Sequence, residues 1–96
     1  MSSLQGKIVL YKTPTCTRCP HAKKLIGKIL KEYNHEYSEV VVERDVEQDT
    51  DARTDLIMEG FLSTPVVRVR EILLGPDECI KEEILRTNIE KLFTRP

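Results

Sequence analysis

Two cysteines separated by two residues stand at the junction between an apolar run and an amphipathic helix, and no other feature constrains the chain as tightly. Ile8-Val9-Leu10-Tyr11 comes first, Cys16-Thr17-Arg18-Cys19 follows, and a helical pattern runs from Ala22 to Tyr33. At the start of a helix the unpaired N–H groups and the positive end of the dipole favour a thiolate over a thiol. A helical spacing of three brings the second sulfur to the same side, where it can close a disulfide behind the first. The pair reads as a nucleophile, Cys16, with a resolving partner, Cys19.

The elements around the pair are legible from periodicity. Thr13-Pro14-Thr15 breaks the first strand. In the helix, Leu25, Ile26, Ile29, Leu30 and Tyr33 recur at steps of three and four, while Lys23, Lys24, Lys28 and Lys31 take the other faces. Pro20 fits the first turn, where its missing N–H has no intrahelical partner to lose. Gly27 lies off the apolar stripe, at a cost of about 1 kcal/mol relative to Ala. Asn34 closes the helix. Tyr37 to Val46, centred on Val40-Val41-Val42, predicts a second strand, parallel to the first through a right-handed crossover. Asp49-Thr50-Asp51 supplies caps for a helix through Ala52, Leu56 and Ile57, with Gly60 as its stop. Val66 to Val69 and Glu71 to Leu74 predict a hairpin, although Arg70-Glu71 is a poor turn sequence. After Gly75-Pro76-Asp77, a last helix opened by Cys79 carries Ile80, Ile84, Leu85, Ile89, Leu92 and Phe93 on its inner side.

With 96 residues the chain has room for one domain, residues 1–96, and too few for two. Its net charge of −1 gives no electrostatic case for a nucleic-acid partner. An odd count of three cysteines fits poorly with a secreted disulfide framework. No stretch approaches the roughly 20 apolar residues that span a bilayer, and residues 1–6 lack a leader pattern. The chain is therefore expected to be cytoplasmic, complete, free of membrane contact and monomeric. Residues 1–40 hold seven Lys or Arg against three Glu, whereas residues 41–60 hold seven Asp or Glu against two Arg. Solvated helix faces and a positive rim around the thiols would both give this pattern.

Taken together these residues resemble the glutaredoxin-like thiol-disulfide oxidoreductases. The matching pieces are Tyr11-Lys12-Thr13-Pro14-Thr15-Cys16-Thr17-Arg18-Cys19, Ala22-Lys23-Lys24-Leu25, Asp45-Val46-Glu47 and Ser63-Thr64-Pro65-Val66-Val67. The resemblance implies an α/β thioredoxin fold, strand-helix-strand-helix-strand-strand-helix, in which a four-stranded mixed sheet is flanked by three helices. It also implies a cis Pro65 facing the cysteines, and a Thr64 backbone that pairs with a target peptide as an added strand. Cys16 would attack a target disulfide and Cys19 would resolve the mixed disulfide. Lys12 and Arg18 place positive charge near the thiols, and Thr17-Arg18 tunes the pair. The implied partners are disulfide-containing proteins and, as electron donor, a reductase or a low-molecular-weight thiol. No cofactor is expected beyond the redox-active pair.

Two departures refine this. Thioredoxins carry a buried acid six residues before the leading cysteine and a Trp directly before it; Leu10 and Thr15 stand there, so the proton of Cys19 needs another route, such as water. Glutaredoxins that use glutathione usually have a cation three residues before that cysteine and Gly-Gly then Asp after the last strand. Thr13 and Gly75-Pro76-Asp77 occupy those places, with Lys12 one residue early, so glutathione is expected to be a poor specific reductant and Asp77 the group left to hold its amine. Cys79, behind Asp77 and Glu78, reads as a passive thiol, and His21 as a surface residue. Alternatives are a relative of the arsenate-reductase or redox-regulator branch, a zinc module built on Cys16 and Cys19, and a non-catalytic interaction domain.

Overall fold

In the computed structural model the described residues are 6–93, so the expectations drawn from residues 1–5 lie outside them. The first apolar run is strand β1 (Ile8–Lys12). Its alternation sorts the two sides of the sheet: Ile8 and Leu10 join one buried cluster and Tyr11 the other. Helix α1 (Cys19–Glu32) carries Pro20 in its first turn and buries Cys19, Ala22, Ile26, Ile29 and Leu30. Asn34 ends it in the left-handed region at φ 63°, while its own N–H and that of His35 donate to Lys31 and Leu30 carbonyls, each at 3.0 Å.

The second strand begins later than the β-branched run suggested. Tyr37–Val40 forms one helical turn, α2, and strand β2 is confined to Val41–Asp45. The turn is held locally: the Glu36 N–H donates to Glu39 Oε1 at 2.9 Å, and the Glu39 N–H donates to the Glu36 carbonyl at 3.1 Å. This pairing at the helix start outweighs the β-propensity of the segment and leaves Val40 fully buried. Strands β1 and β2 are parallel, with Ile8 opposite Val41 and Leu10 opposite Glu43.

Helix α3 (Thr50–Met58) starts at Asp49, whose carboxylate accepts the Ala52 N–H at 3.1 Å, and Gly60 at φ 88° follows its end. Ala52 and Leu56 are its buried residues, whereas Ile57 is 54% exposed. Strands β3 (Val66–Val69) and β4 (Ile72–Leu74) form the expected antiparallel hairpin. Arg70 accepts a φ of 57° to close the turn, and its N–H donates to the Lys7 carbonyl at 2.9 Å.

Cys79 and Ile80 precede the last helix rather than opening it, because α4 spans Glu82–Phe93. The Glu78 and Cys79 N–H groups both donate to the Gly75 carbonyl, and the Glu78 carboxylate accepts the Gly75 N–H, each at 3.0 Å. That turn uses up the residues that would otherwise have formed the first helical turn. A Cβ at Gly75 would stand 3.0 Å from the Phe61 ring, a tight contact that the ring would have to yield to.

The sheet order is β2-β1-β3-β4. Helices α1 and α4 cover one face through Ile26, Ile29, Leu30, Leu85 and Ile89, while α3 packs Ala52 and Leu56 against Tyr11 and Val66 on the other. Each of these fully buried Ile and Leu side chains contributes roughly 1.5 to 3 kcal/mol. The element order is thus the expected one with a single added turn, α2. No helix among the described residues is long and apolar enough to cross a membrane.

Candidate active site

The two cysteines sit where β1 hands over to α1, at one end of the sheet. A turn closed by the Cys16 N–H on the Thr13 carbonyl, at 3.2 Å, directs Cys16 to the mouth of the helix. Cys16 is half-buried and Cys19, the first helical residue, is 6% exposed, so Cys16 is the more accessible residue of the pair. Their Cα atoms are 5.5 Å apart and the sulfurs are joined as a disulfide. The Cys19 N–H donates to Cys16 Sγ at 3.1 Å. At the start of a helix such an N–H has no intrahelical acceptor, and a donor in this place favours a thiolate over a thiol.

The Thr64–Pro65 bond is cis and Pro65 is buried. Thr64 Oγ1 lies 3.3 Å from Thr13 Oγ1, which joins the Pro65 loop to the loop leading into Cys16. Beside this contact a cavity of about 430 Å³ is lined by Thr13, Thr15, Glu47, Arg53, Ser63 and Thr64, with Ile57, Phe61 and Leu62 among its apolar walls. Leu62 is 89% exposed at its edge.

The remaining expected site residues are placed as follows. Arg18, at the N-cap position of α1, directs Nη1 to Asp77 Oδ1 at 3.2 Å, so Asp77 is brought to the cysteine end of the molecule but spends its charge on Arg18. Lys12 donates to Glu43 Oε1 on β2 at 2.7 Å. Both cations expected near the thiols are therefore paired. Thr17 and His21 are exposed. Cys79 is fully buried, and its thiol donates to the Pro65 carbonyl at 3.4 Å. Burial pushes that thiol up to about 12, so it stays protonated. Among the described residues no three His, Cys, Asp or Glu side chains gather around a metal-sized site.

The sequence reading passed over Glu43. Its carboxylate takes donors from Lys12, from the Tyr37 hydroxyl at 2.7 Å and from Lys23 Nζ at 3.1 Å. Partial burial alone would raise this carboxyl, but the bonds from Lys12, Tyr37 and Lys23 outweigh it and hold it at about 2. With Lys12, Lys23 and Asp45 it lines a second cavity of about 420 Å³ that also touches Cys16 and Cys19. The available signal was the parallel pairing of β1 with β2, which sets Glu43 opposite Leu10.

The fold is shared with solved proteins. The chain is 25% identical to a mutant of the thioredoxin-like protein BC3987, with a TM-score of 0.64 over 90% of this chain and 97% of that one. NrdH-redoxin from Escherichia coli, a glutaredoxin-like protein, superposes with a TM-score of 0.60 at 19% identity, over 93% of this chain and 97% of its own. These likenesses establish the thioredoxin fold. In sequence, 61 residues are 36% identical to NADPH-dependent thioredoxin reductase 3 of Arabidopsis thaliana, a match over 64% of this chain but 11% of that much longer protein. The glutaredoxin family model matches residues 8–74, from the first residue of β1 to the last of β4, and so takes in the cysteine pair and the Thr64–Pro65 bond together: this chain belongs to the glutaredoxin family.

Proposed function

We propose that the protein is a thiol-disulfide oxidoreductase that reduces disulfides of target proteins by dithiol exchange. The Cys16 thiolate attacks one target sulfur; a Cys16–target bond forms, the target S–S bond breaks, and the other target sulfur leaves as a thiolate. Deprotonated Cys19 then attacks Cys16, which closes the Cys16–Cys19 disulfide and releases the first target sulfur. Two electrons pass from the pair to the target. The observation that carries this reading is that Cys16, a half-buried residue beside the buried Cys19, receives the helix-start N–H of Cys19 on its sulfur.

The groove beside Thr64 suits an extended target peptide, which would pair with the Thr64 backbone and lay a side chain against Ile57 and Leu62. The electron donor in this proposal is a flavoprotein reductase or another thiol donor, in a reducing compartment, with glutathione a poor specific reductant. Likeness to a protein named as a thioredoxin reductase supports that donor class. So does the occupation of glutathione-type contacts from within the chain: Asp77 is paired with Arg18, Lys12 with Glu43, and the Gly75 N–H with Glu78.

Cysteine variants test the mechanism. Cys16→Ser should abolish reduction of a protein disulfide, whereas Cys19→Ser should accumulate a mixed disulfide on Cys16. Mass spectrometry that finds the trapped target on the other cysteine reverses the roles. Full reductase activity in the Cys16→Ser variant rules the mechanism out.

A further inference from the structure

Glu43 receives donors from three separate elements, Lys12 on β1, Lys23 on α1 and Tyr37 on α2, although its own side chain is only 20% exposed. Such convergence on one carboxylate far exceeds what a surface ion pair on a sheet edge requires. The Tyr37 ring also lies under Lys23 Nζ, 5.5 Å from the ring centroid, so the aromatic group braces the ammonium from a second direction. Lys12, Lys23 and Glu43 share their cavity with both cysteines.

We propose that Glu43 is a positioning residue of the dithiol site: it fixes the Lys12 and Lys23 ammonium groups on the cavity wall and, through the balance of these charges, sets the ionisation of Cys16 once the disulfide is reduced. This rests on the redox reading above and extends it to a residue outside the cysteine motif. The charges facing the cavity are Lys12 from β1, Lys23 from α1, and Glu43 and Asp45 from β2. Asp45 is additionally committed to the Glu47 N–H at 2.9 Å. Arg18, at the N-cap of α1, is paired with Asp77. Two positive and two negative groups thus leave the wall balanced, and the Cys19 N–H and helix terminus are left as the main stabilisers of the thiolate. Removal of either partner of the Lys12–Glu43 bond tips the balance, in opposite directions.

The test is the pH dependence of iodoacetamide alkylation at Cys16 in the reduced, folded protein, followed by mass spectrometry. At effective dielectric constants between those of protein and water, one uncompensated charge on the wall is worth about 0.5 to 1 pH unit in the thiol midpoint. Glu43→Gln should lower the midpoint by that amount and Lys12→Met should raise it. The double variant, in which both charges are gone, should return to within about 0.3 of the parent. Glu43→Asp, which keeps the charge, should stay close to the parent as well. Both single variants break the same 2.7 Å bond. A purely structural role would therefore move both midpoints the same way, and shifts of equal sign, or none in either variant, overturn the proposal. Alkylation needs neither target nor electron donor, so this result stands apart from the disulfide-reduction assay that judges the redox reading.

Discussion

Glu43 also makes the stability of the fold depend on acid in a way that one substitution should remove. Its carboxyl is held at about 2 against an ordinary 4.5. Above about pH 4.5 the group is ionised in both folded and unfolded chains, and its bonds contribute in full. As the pH falls, the unfolded chain takes up a proton first, so the contribution declines and is gone once the folded carboxyl is protonated near pH 2. At 1.36 kcal/mol for each pH unit, the depression corresponds to about 3.4 kcal/mol. Solvent screening reduces this: the Lys12 and Lys23 side chains are 39% and 56% exposed, so about 1 to 2 kcal/mol is expected. In a domain of this size each kcal/mol moves the melting temperature by about 4 to 8 °C. Thermal unfolding of the oxidised protein and its Glu43→Gln variant, followed by circular dichroism, should show a gap of about 1 to 2 kcal/mol near pH 7 that closes near pH 2. Glu32, Asp49 and Glu82 are lowered too, chiefly by bonds from Arg86, Arg44 and Arg86 respectively, but they are common to both proteins and cancel in the difference. A gap as wide near pH 2 as near pH 7 would refute the electrostatic account.

Two other substitutions or treatments follow from particular contacts. Gly27 lies in the interior of α1, and a Cβ there would meet Tyr37 Cδ2 at 3.9 Å, an ordinary contact; Gly27→Ala should therefore stabilise the protein by about 0.5 to 1 kcal/mol, and a lower midpoint in urea would count against it. Cys79, fully buried and pushed up to about 12, should remain unlabelled by iodoacetamide in the folded, reduced protein and react after denaturation. Labelling of Cys79 at the rate of Cys16 without unfolding would show that the Pro65 carbonyl contact is not maintained.

Local patterns carried the sequence reading a long way. The three- and four-residue steps from Ala22 to Tyr33 require a helix whichever neighbours it meets, and Asn34 and Asp49 act on backbone groups beside them in the chain. The Cys16-Thr17-Arg18-Cys19 spacing and the Thr64-Pro65 dipeptide are equally local, and the family match spans both. Where local signals competed, the weaker inference lost. The β-branched run at Val40 pointed to a strand from Tyr37, yet the Glu36–Glu39 bonds turned that segment into α2. Gly75 with Glu78 likewise took Cys79 out of the last helix.

What the sequence by itself determined, then, is the order of elements and the cysteine pair at a helix start, because both follow from periodicity and from groups a few residues apart. The charge partners of the site were decided by the tertiary structure alone. Lys12 meets Glu43 across 31 residues, Thr13 meets Thr64 across 51, and Arg18 meets Asp77 across 59. Each contact depends on the register of β1 against β2 or on where two loops converge, and a slip of one residue in the β1–β2 register would turn Glu43 to the opposite face of the sheet. Charge composition records that Lys12 and Glu43 are present; only packing decides that they line one cavity with Cys16 and Cys19.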